Sequence, residues 1–238
     1  MFRKIRQSIK NHLGIGENNL LLQEIYWGQV LDFAVRDSKW LNKTSFNAGR
    51  WALGFPALYI LYRILNDIKP KSILEFGLGE SSKMTYQYFM STPGTQLQII
   101  EQDKEWFDFY ANEVYDVKDI VKILPLTTKK INGYDTKVYS NLIENISDRK
   151  YDFVLVDGPF GSPNYSRSQL IEIIENNLLA SDFVVLFDDF NRKGEQQTAA
   201  TCLELLKKRN VKFHTGIYQG AKSTLVICAE KYPFLKSL

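Results

Sequence analysis

The chain has 238 residues, of which 45% are hydrophobic, 24% are charged and 14 are glycine. This length and composition predict one α/β domain with an elaboration, and they exclude collagen, low-complexity disorder and a disulfide scaffold. The 30 basic and 27 acidic residues leave a net charge of +3, which is too mild to predict a nucleic-acid partner.

The first 70 residues predict helices. Apolar side chains recur at helical spacing between residues 20 and 33, a polar break follows at 38–49, and a second apolar helix is predicted over 51–68, before Pro70. The apolar run near residues 53–65 is too short to span a bilayer. We expect residues 1–70 to form an N-terminal helical cap on a domain that comprises residues 71–238.

Residues 2–10 are basic and amphipathic. As a helix, this segment has Phe2, Ile5 and Ile9 on one side and its cations on the other, which is consistent with weak contact to an anionic membrane surface. A solvated N-terminal helix is the alternative, and we favour it. The opening lacks the features of a secretory signal, and we interpret Cys202 and Cys228 as reduced core residues, so we expect a cytoplasmic location.

From residue 71 onward, short apolar runs alternate with helical stretches, a pattern that is typical of βαβ units and a parallel sheet. Five strands are predicted at 72–76, 96–101, 121–124, 151–157 and 182–188. The predicted helices begin at 82, pass through 106 and 110, and then cover 139–146, 168–179 and 195–208. Strands at 211–218 and 223–229 are too close for a helix between them, so they form an antiparallel hairpin. The fold class is therefore a doubly wound α/β fold, with a seven-stranded, mostly parallel sheet and a terminal antiparallel hairpin.

Open parallel sheets bind ligands at the carboxyl ends of their strands. There the first strand is followed by Gly77 and Gly79, which allow the backbone to pass close to a ligand. Glu101 ends the second strand, 22 residues beyond Gly79, where an acid can accept hydrogen bonds from both hydroxyls of an adenosine ribose. A nicotinamide-binding fold has the same two features, but it would carry Gly or Ala in place of Ser82, and the terminal hairpin also disfavours it.

Three carboxylates, Asp157, Asp188 and Asp189, follow the fourth and fifth strands. One of them can act as general base toward an acceptor hydroxyl. Alternatively, the three can hold a divalent metal ion through oxygen ligands, or two of them can cap neighbouring helices or loops. The loop over 158–165 lies beside them, and its Phe160 and Tyr165 are candidates for contact with an acceptor ring.

These pieces resemble the class I S-adenosylmethionine-dependent methyltransferases. The resemblance rests on the order and spacing of Ile73–Gly79, with Glu101 after it. More narrowly, the chain is similar to the plant xylan glucuronic acid 4-O-methyltransferase family, over about residues 70–205. The matching segments of that family are 76–79, 101–106, 134–137, 156–161 and 187–189.

The resemblance implies that Gly77 and Gly79 border the methionine part of the cofactor and that Glu101 binds its ribose. Because the sulfonium is cationic, Glu75 at the end of the first strand is a candidate to favour it by charge. The remaining predicted cofactor-binding residues are Ser81, Gln102 and Asp157. Trp106 is either a core residue or a neighbour of the adenine.

The expected function is S-adenosylmethionine-dependent O-methyl transfer to a sugar or glycan hydroxyl, with a divalent metal as a candidate second cofactor. For a carboxylated acceptor, Lys129, Lys130 and Arg167 are available as basic groups, or they are ordinary surface charges. Two alternatives stay open: an NAD-dependent oxidoreductase and a non-catalytic nucleotide-binding module of the same fold.

Overall fold

A computed structural model describes residues 15–49, 51–113 and 115–238. The basic segment 2–10, with its predicted membrane contact, lies outside these residues. The seven α-helices in the described ranges are α1 (Ile15–Val35), α2 (Phe55–Arg63), α3 (Glu80–Ser91), α4 (Lys104–Glu113), α5 (Leu142–Ile146), α6 (Gln169–Glu175) and α7 (Lys193–Lys208). A π-helical turn, Ile64–Ile68, continues α2, and a 3₁₀ turn follows at Pro233–Lys236. Within the described ranges, none of the helices combines the length and the apolar character needed to cross a membrane.

A seven-stranded sheet forms the centre of the fold, as predicted. Its strands are β1 (Ser72–Phe76), β2 (Gln96–Glu101), β3 (Val121–Ile123), β6 (Tyr151–Val156), β7 (Leu179–Phe187), β8 (Phe213–Gln219) and β9 (Ser223–Ala229). The spatial order is β3-β2-β1-β6-β7-β9-β8, and β9 runs antiparallel to both of its neighbours. The strand order reverses between β1 and β6, which is where open α/β sheets bind their ligands.

The strand register aligns the carboxyl ends of four neighbouring strands. Phe76 of β1 pairs with Ile100 of β2 and with Val156 of β6, and Val156 pairs in turn with Phe187 of β7. The residues that follow these positions, Gly77, Glu101, Asp157 and Asp188, therefore emerge in one row along the sheet edge.

Helices cover both faces of the sheet, because successive strand residues alternate between two hydrophobic clusters. On β1, Ile73 belongs to the cluster that also contains α1, α2 and buried residues of α3 and α4. Leu74 and Phe76 belong to the second cluster, with α5, α6 and α7. Helices α1 and α2 thus share a hydrophobic core with one face of the sheet.

The prediction missed a two-stranded hairpin, β4 (Leu126–Ile131) with β5 (Tyr134–Tyr139). The predicted helix over 139–146 is correspondingly wrong at its start, because residue 139 ends β5 and α5 begins at Leu142. Asn132 and Gly133 connect the two strands, and both have positive φ, as a two-residue hairpin turn requires.

Two other predicted helices were too long. The helix predicted over 51–68 begins at Phe55, where Pro56 occupies the first turn, and residues 36–49 and 51–54 are non-helical except for short turns. The helix predicted over 168–179 ends at Glu175, since Asn177 adopts a left-handed conformation and β7 begins at Leu179.

Candidate active site

A cavity of about 620 Å³ opens at the row of strand ends. This volume is within the range of small-molecule sites. One end is lined by Gly77, Leu78, Gly79, Glu80, Glu101, Gln102, Asp103 and Trp106. The other end is lined by Asp157, Gly158, Pro159, Phe160, Gly161, Arg167, Asp189, Arg192 and Lys222. Five residues of the segment before α2 complete the wall: Asn47, Ala48, Gly49, Trp51 and Ala52.

The glycine turn after β1 is positioned where only glycine fits. Gly77 has φ of +92°, and a Cβ atom there would lie 3.3 Å from the backbone of Asp157. A Cβ atom on Gly158 would lie 2.8 Å from the nitrogen of Gly77. The turns after β1 and β6 therefore touch through their backbones, and this contact forms the cavity floor.

Side chains from the next strand and helix hold the glycine turn. Glu101 Oε2 accepts a hydrogen bond of 2.8 Å from the backbone N–H of Leu78, and Trp106 Nε1 donates one of 2.6 Å to the carbonyl of the same residue. The Tyr110 hydroxyl donates to the carbonyl of Gly79 at 3.1 Å. Trp106 is therefore not a core residue: it is 41% exposed, it anchors the turn and it lines the cavity.

Glu101 makes more backbone contacts than the sequence indicated. Its Oε1 accepts hydrogen bonds from the N–H groups of Gln102 and Asp103, at 2.7 and 2.8 Å. Burial raises the pKa of Glu101, although its three backbone hydrogen bonds oppose the shift. The carboxylate still lines the cavity, so it can accept a ligand hydroxyl at the remaining lone pair of Oε2.

Glu75 and Ser81 lie beneath the cavity wall rather than on it. The Glu75 carboxylate is fully buried and accepts hydrogen bonds from the hydroxyls of Ser81, Ser82 and Thr85, at 2.5, 2.9 and 2.6 Å. Burial raises its pKa to about 6, against the effect of these three donors. Glu75 therefore anchors the first turn of α3 from beneath the cavity. The cavity itself is lined by Gly77–Glu80, and neither Glu75 nor Ser81 lines it.

The second predicted constellation does come together. Single carboxylate oxygens of Asp157, Asp188 and Asp189 lie within 4.8 Å of one another. Asp157 and Asp189 line the cavity, whereas Asp188 is fully buried and accepts a 3.0 Å hydrogen bond from the Thr224 hydroxyl. Burial raises the pKa of Asp157 well above its usual range, and Arg167 is the largest opposing influence. Asp157 Oδ1 is buried and faces Arg167, and the Asp157 side chain, at 13% exposure, is the most accessible of the three aspartates.

Three cations neutralise these carboxylates. Arg167, which is only 5% exposed, lies 3.2 Å from Asp157 and 2.7 Å from Asp189. Lys222 Nζ lies 3.4 Å from both Asp188 and Asp189. At the cavity mouth, Arg192 lies 3.0 Å from Asp189.

An additional divalent ion does not fit this arrangement. A nitrogen atom of Arg167 or Lys222 already lies within 3.4 Å of each of the three aspartates. A metal ion between them would face both cations at close range, so the repulsion would offset much of its attraction to the carboxylates.

The other candidate residues divide between the cavity and the rest of the molecule. Phe160 lines the cavity, but Tyr165 packs against Tyr134, with 5.9 Å between ring centroids. Lys129 is paired with Glu172 and, like Lys130, is outside the cavity lining. Both cysteines are buried and free, as predicted.

Sequence reasoning placed Arg167 near the site but did not assign it to the carboxylates, and it did not identify Lys222, Arg192 or Trp51. A signal for Lys222 was present in the topology. The turn of the terminal hairpin, 220–222, precedes β9, and β9 pairs with the end of β7 through Phe187 and Leu225. The turn therefore lies at the same sheet edge as Asp188.

Three solved structures with a similar architecture are described as methyltransferases. The O-methyltransferase TomG from Streptomyces achromogenes, which is involved in tomaymycin synthesis and was solved with S-adenosylmethionine, is similar at 18% identity and a TM-score of 0.58, over 89% of this chain and 97% of that chain. A Staphylococcus aureus protein proposed to be a caffeoyl-CoA O-methyltransferase gives 15% identity and a TM-score of 0.52, over 87% and 100% of the two chains. The methyltransferase PaMTH1 from Podospora anserina gives 13% and 0.51, over 94% and 96%.

No protein-family model matches the sequence, and a comparison with curated protein sequences also gives no match. The likeness to these three solved structures covers most of each chain. The chain has the Rossmann-like fold of the S-adenosylmethionine-dependent O-methyltransferases.

Proposed function

We propose that the chain is an S-adenosylmethionine-dependent O-methyltransferase with a sugar or glycan hydroxyl as its acceptor. The observation that carries the proposal is that the backbone N–H groups of the glycine turn are already hydrogen-bonded within the protein. The backbone N–H groups of Gly77, Leu78 and Gly79 donate to Ile100, Glu101 and Ser82 within the protein. A dinucleotide needs free N–H groups at this turn for its pyrophosphate, whereas S-adenosylmethionine carries no phosphate. The turn therefore favours the methyl donor over NAD.

The cofactor end of the cavity has the groups that such a donor requires. The glycine turn has no side chains that would keep the methionine part of the cofactor away from the backbone. Glu101 can accept a hydrogen bond from a ribose hydroxyl. The partly exposed indole of Trp106 offers an aromatic surface to an adenine ring. When bound, S-adenosylmethionine supplies an electrophilic methyl group on a sulfonium.

The acceptor end supplies a base. A sugar hydroxyl is a poor nucleophile at neutral pH, so a positioned base accelerates its attack. Asp157 lies on the cavity wall and is the most exposed of the three aspartates, at 13%, so its carboxylate can accept the hydroxyl proton as the new O–CH₃ bond forms. Asp188 is less suited to this role because it is fully buried and bonded to Thr224.

A polar ring with several hydroxyls matches the acceptor end better than an apolar one. The wall combines two carboxylates with the cations Arg167, Arg192 and Lys222. Arg192 is 46% exposed, so it can reach a carboxylated sugar at the mouth. The exposed rings of Trp51 and Phe160 border the same cavity and can pack against the apolar face of a sugar ring.

The test is incubation of the purified protein with methyl-labelled S-adenosylmethionine and a panel of neutral and uronic-acid glycans, followed by mass spectrometry. We expect label in a glycan methyl ether with the parent protein and a strong loss with Asp157→Asn. Methylation only of a non-sugar hydroxyl in a cell extract would overturn the acceptor assignment. Cofactor binding without any methyl transfer in glycans or extract would favour the non-catalytic module.

A further inference from the structure

Lys222 reaches the carboxylate cluster from the turn between β8 and β9. Its ammonium donates a 2.9 Å hydrogen bond to the carbonyl of Ala52 and lies 3.4 Å from an oxygen of each of Asp188 and Asp189. The side chain is 13% exposed and lines the cavity. A single nitrogen atom therefore bridges the two carboxylates that follow β7.

The protein holds this lysine from both sides. The N–H of Ala221 donates to Glu24 of α1 at 2.8 Å, and the N–H of Ser223 donates to the side chain of Asn191 at 3.2 Å. The carbonyl of Lys222 accepts a 2.8 Å hydrogen bond from the N–H of Gly220. Two contacts from other parts of the chain and one bond within the turn fix its backbone, so the fold determines the position of the ammonium.

The charges of the cluster also nearly balance without a metal. The acidic groups are Asp157, Asp188, Asp189 and Glu195, which is 1% exposed. The basic groups facing them are Arg167, Arg192 and Lys222. Without Lys222, the net charge of the cluster becomes more negative by one unit, and two buried carboxylates lose the cation that bridges them.

We propose that Lys222 is a built-in counter-ion that occupies the position of a divalent metal and closes the three-aspartate cluster to metal ions. The ammonium neutralises Asp188 and Asp189, and its desolvation has already occurred on folding. A metal ion that enters the cluster must displace the ammonium. This leaves Asp157 as the carboxylate that is open to a ligand. The claim about metal binding stands by itself; its consequence, methyl transfer that needs no metal, rests on the proposed function.

The proposal is tested by titration with Mn²⁺, with electron paramagnetic resonance used to measure the free ion. We expect the parent protein and Asp188→Asn to bind the same amount of Mn²⁺, which would show that the cluster binds none in the parent. Lys222→Met is expected to gain one bound Mn²⁺ per chain, and the double variant Lys222→Met with Asp188→Asn is expected to lose it. Lys222→Arg, which keeps the charge, and Lys231→Met, which removes a surface lysine paired with Asp182, should both match the parent.

One bound Mn²⁺ in the parent that disappears in Asp188→Asn overturns the proposal, and this comparison holds even if Lys222→Met does not fold. A folded Lys222→Met that binds no Mn²⁺ also overturns it, because the lysine then occupies no metal position. A chelator should leave the parent's methyl transfer unchanged. Absence of any transfer would count against the proposed function, while the Mn²⁺ result would still decide the role of Lys222.

Discussion

The carboxylate of Glu101 accepts a 2.8 Å hydrogen bond from the backbone N–H of Leu78, so the end of β2 fixes the turn that follows β1. The same carboxylate accepts the N–H groups of Gln102 and Asp103. One buried acid thus shapes two of the loops that line the cofactor end of the cavity. Its removal alters the site even before any ligand contact is lost.

Glu101→Ala is expected to weaken S-adenosylhomocysteine binding by at least about tenfold, because a charged acceptor contributes about 1.5–3 kcal/mol per hydrogen bond. Isothermal titration calorimetry measures the dissociation constants. Asp103→Ala should have a smaller effect, and Asp108→Ala, at an exposed ion pair on α4, should have none. Equal affinity of Glu101→Ala and the parent would remove Glu101 from the binding site.

Asp157→Asn is expected to lower turnover by about 10²–10⁴-fold, the usual contribution of a general base. The base must be deprotonated, and burial raises the pKa of Asp157 well above its usual range. Turnover of the parent should therefore fall as the pH drops through that raised pKa, and the fall should be absent in Asp157→Asn. Asp182→Asn, at a surface ion pair, is the control. A pH–rate profile with an unchanged acidic limb in Asp157→Asn would assign the base elsewhere.

Much of the fold could be predicted from the sequence because the central strands are continuous apolar runs between turn signals. The bounds of β1, β2 and β9 agree with the prediction. The hairpin of β4 and β5 was missed because four of the six β4 residues are exposed and carry no apolar alternation. The Asn132–Gly133 pair was nevertheless a usable turn signal.

The site residues also divide into those that the sequence predicted and those that it did not. The rule of strand carboxyl ends identified Gly77, Glu101 and Asp157, since these residues follow directly from the strand positions. It could not assign Arg167 or Lys222 to the carboxylates. Arg167 has a φ of +55°, so its placement depends on a loop conformation that tertiary contacts impose and that local pattern does not reveal.

The pH dependence of stability should reveal Glu75. Its pKa in the folded protein is about 6, against 4.5 for the ordinary group, so the folded state binds the proton more tightly. The stabilisation is fully present below pH 4.5 and is lost as the pH rises through about 6, which amounts to about 2 kcal/mol. Urea unfolding at pH 4.5 and pH 7 should show this loss in the parent relative to Glu75→Gln. No difference between the two proteins' pH dependence would refute the buried, shifted carboxyl; Glu105→Gln is the exposed control.

The segment before α2 is held over the cavity by α3. Gln87 accepts hydrogen bonds from the N–H groups of Asn42 and Lys43, at 3.0 and 2.8 Å, and donates to the carbonyl of Lys43. In Gln87→Ala, the amides of Asn42 and Lys43 should exchange with solvent roughly fivefold faster, since each lost hydrogen bond contributes about 1 kcal/mol. Hydrogen exchange followed by mass spectrometry measures this, with Met90→Ala on the exposed side of α3 as control. Unchanged exchange would mean that other contacts hold the segment.

We propose above that the glycine turn and Glu101 bind S-adenosylmethionine rather than a dinucleotide. The most direct test of this proposal is calorimetric titration of the parent protein with S-adenosylhomocysteine and, separately, with NAD⁺. We expect one S-adenosylhomocysteine to bind per chain, with weaker binding in Glu101→Ala, and no saturable binding of NAD⁺. Tighter binding of NAD⁺ than of S-adenosylhomocysteine would contradict it.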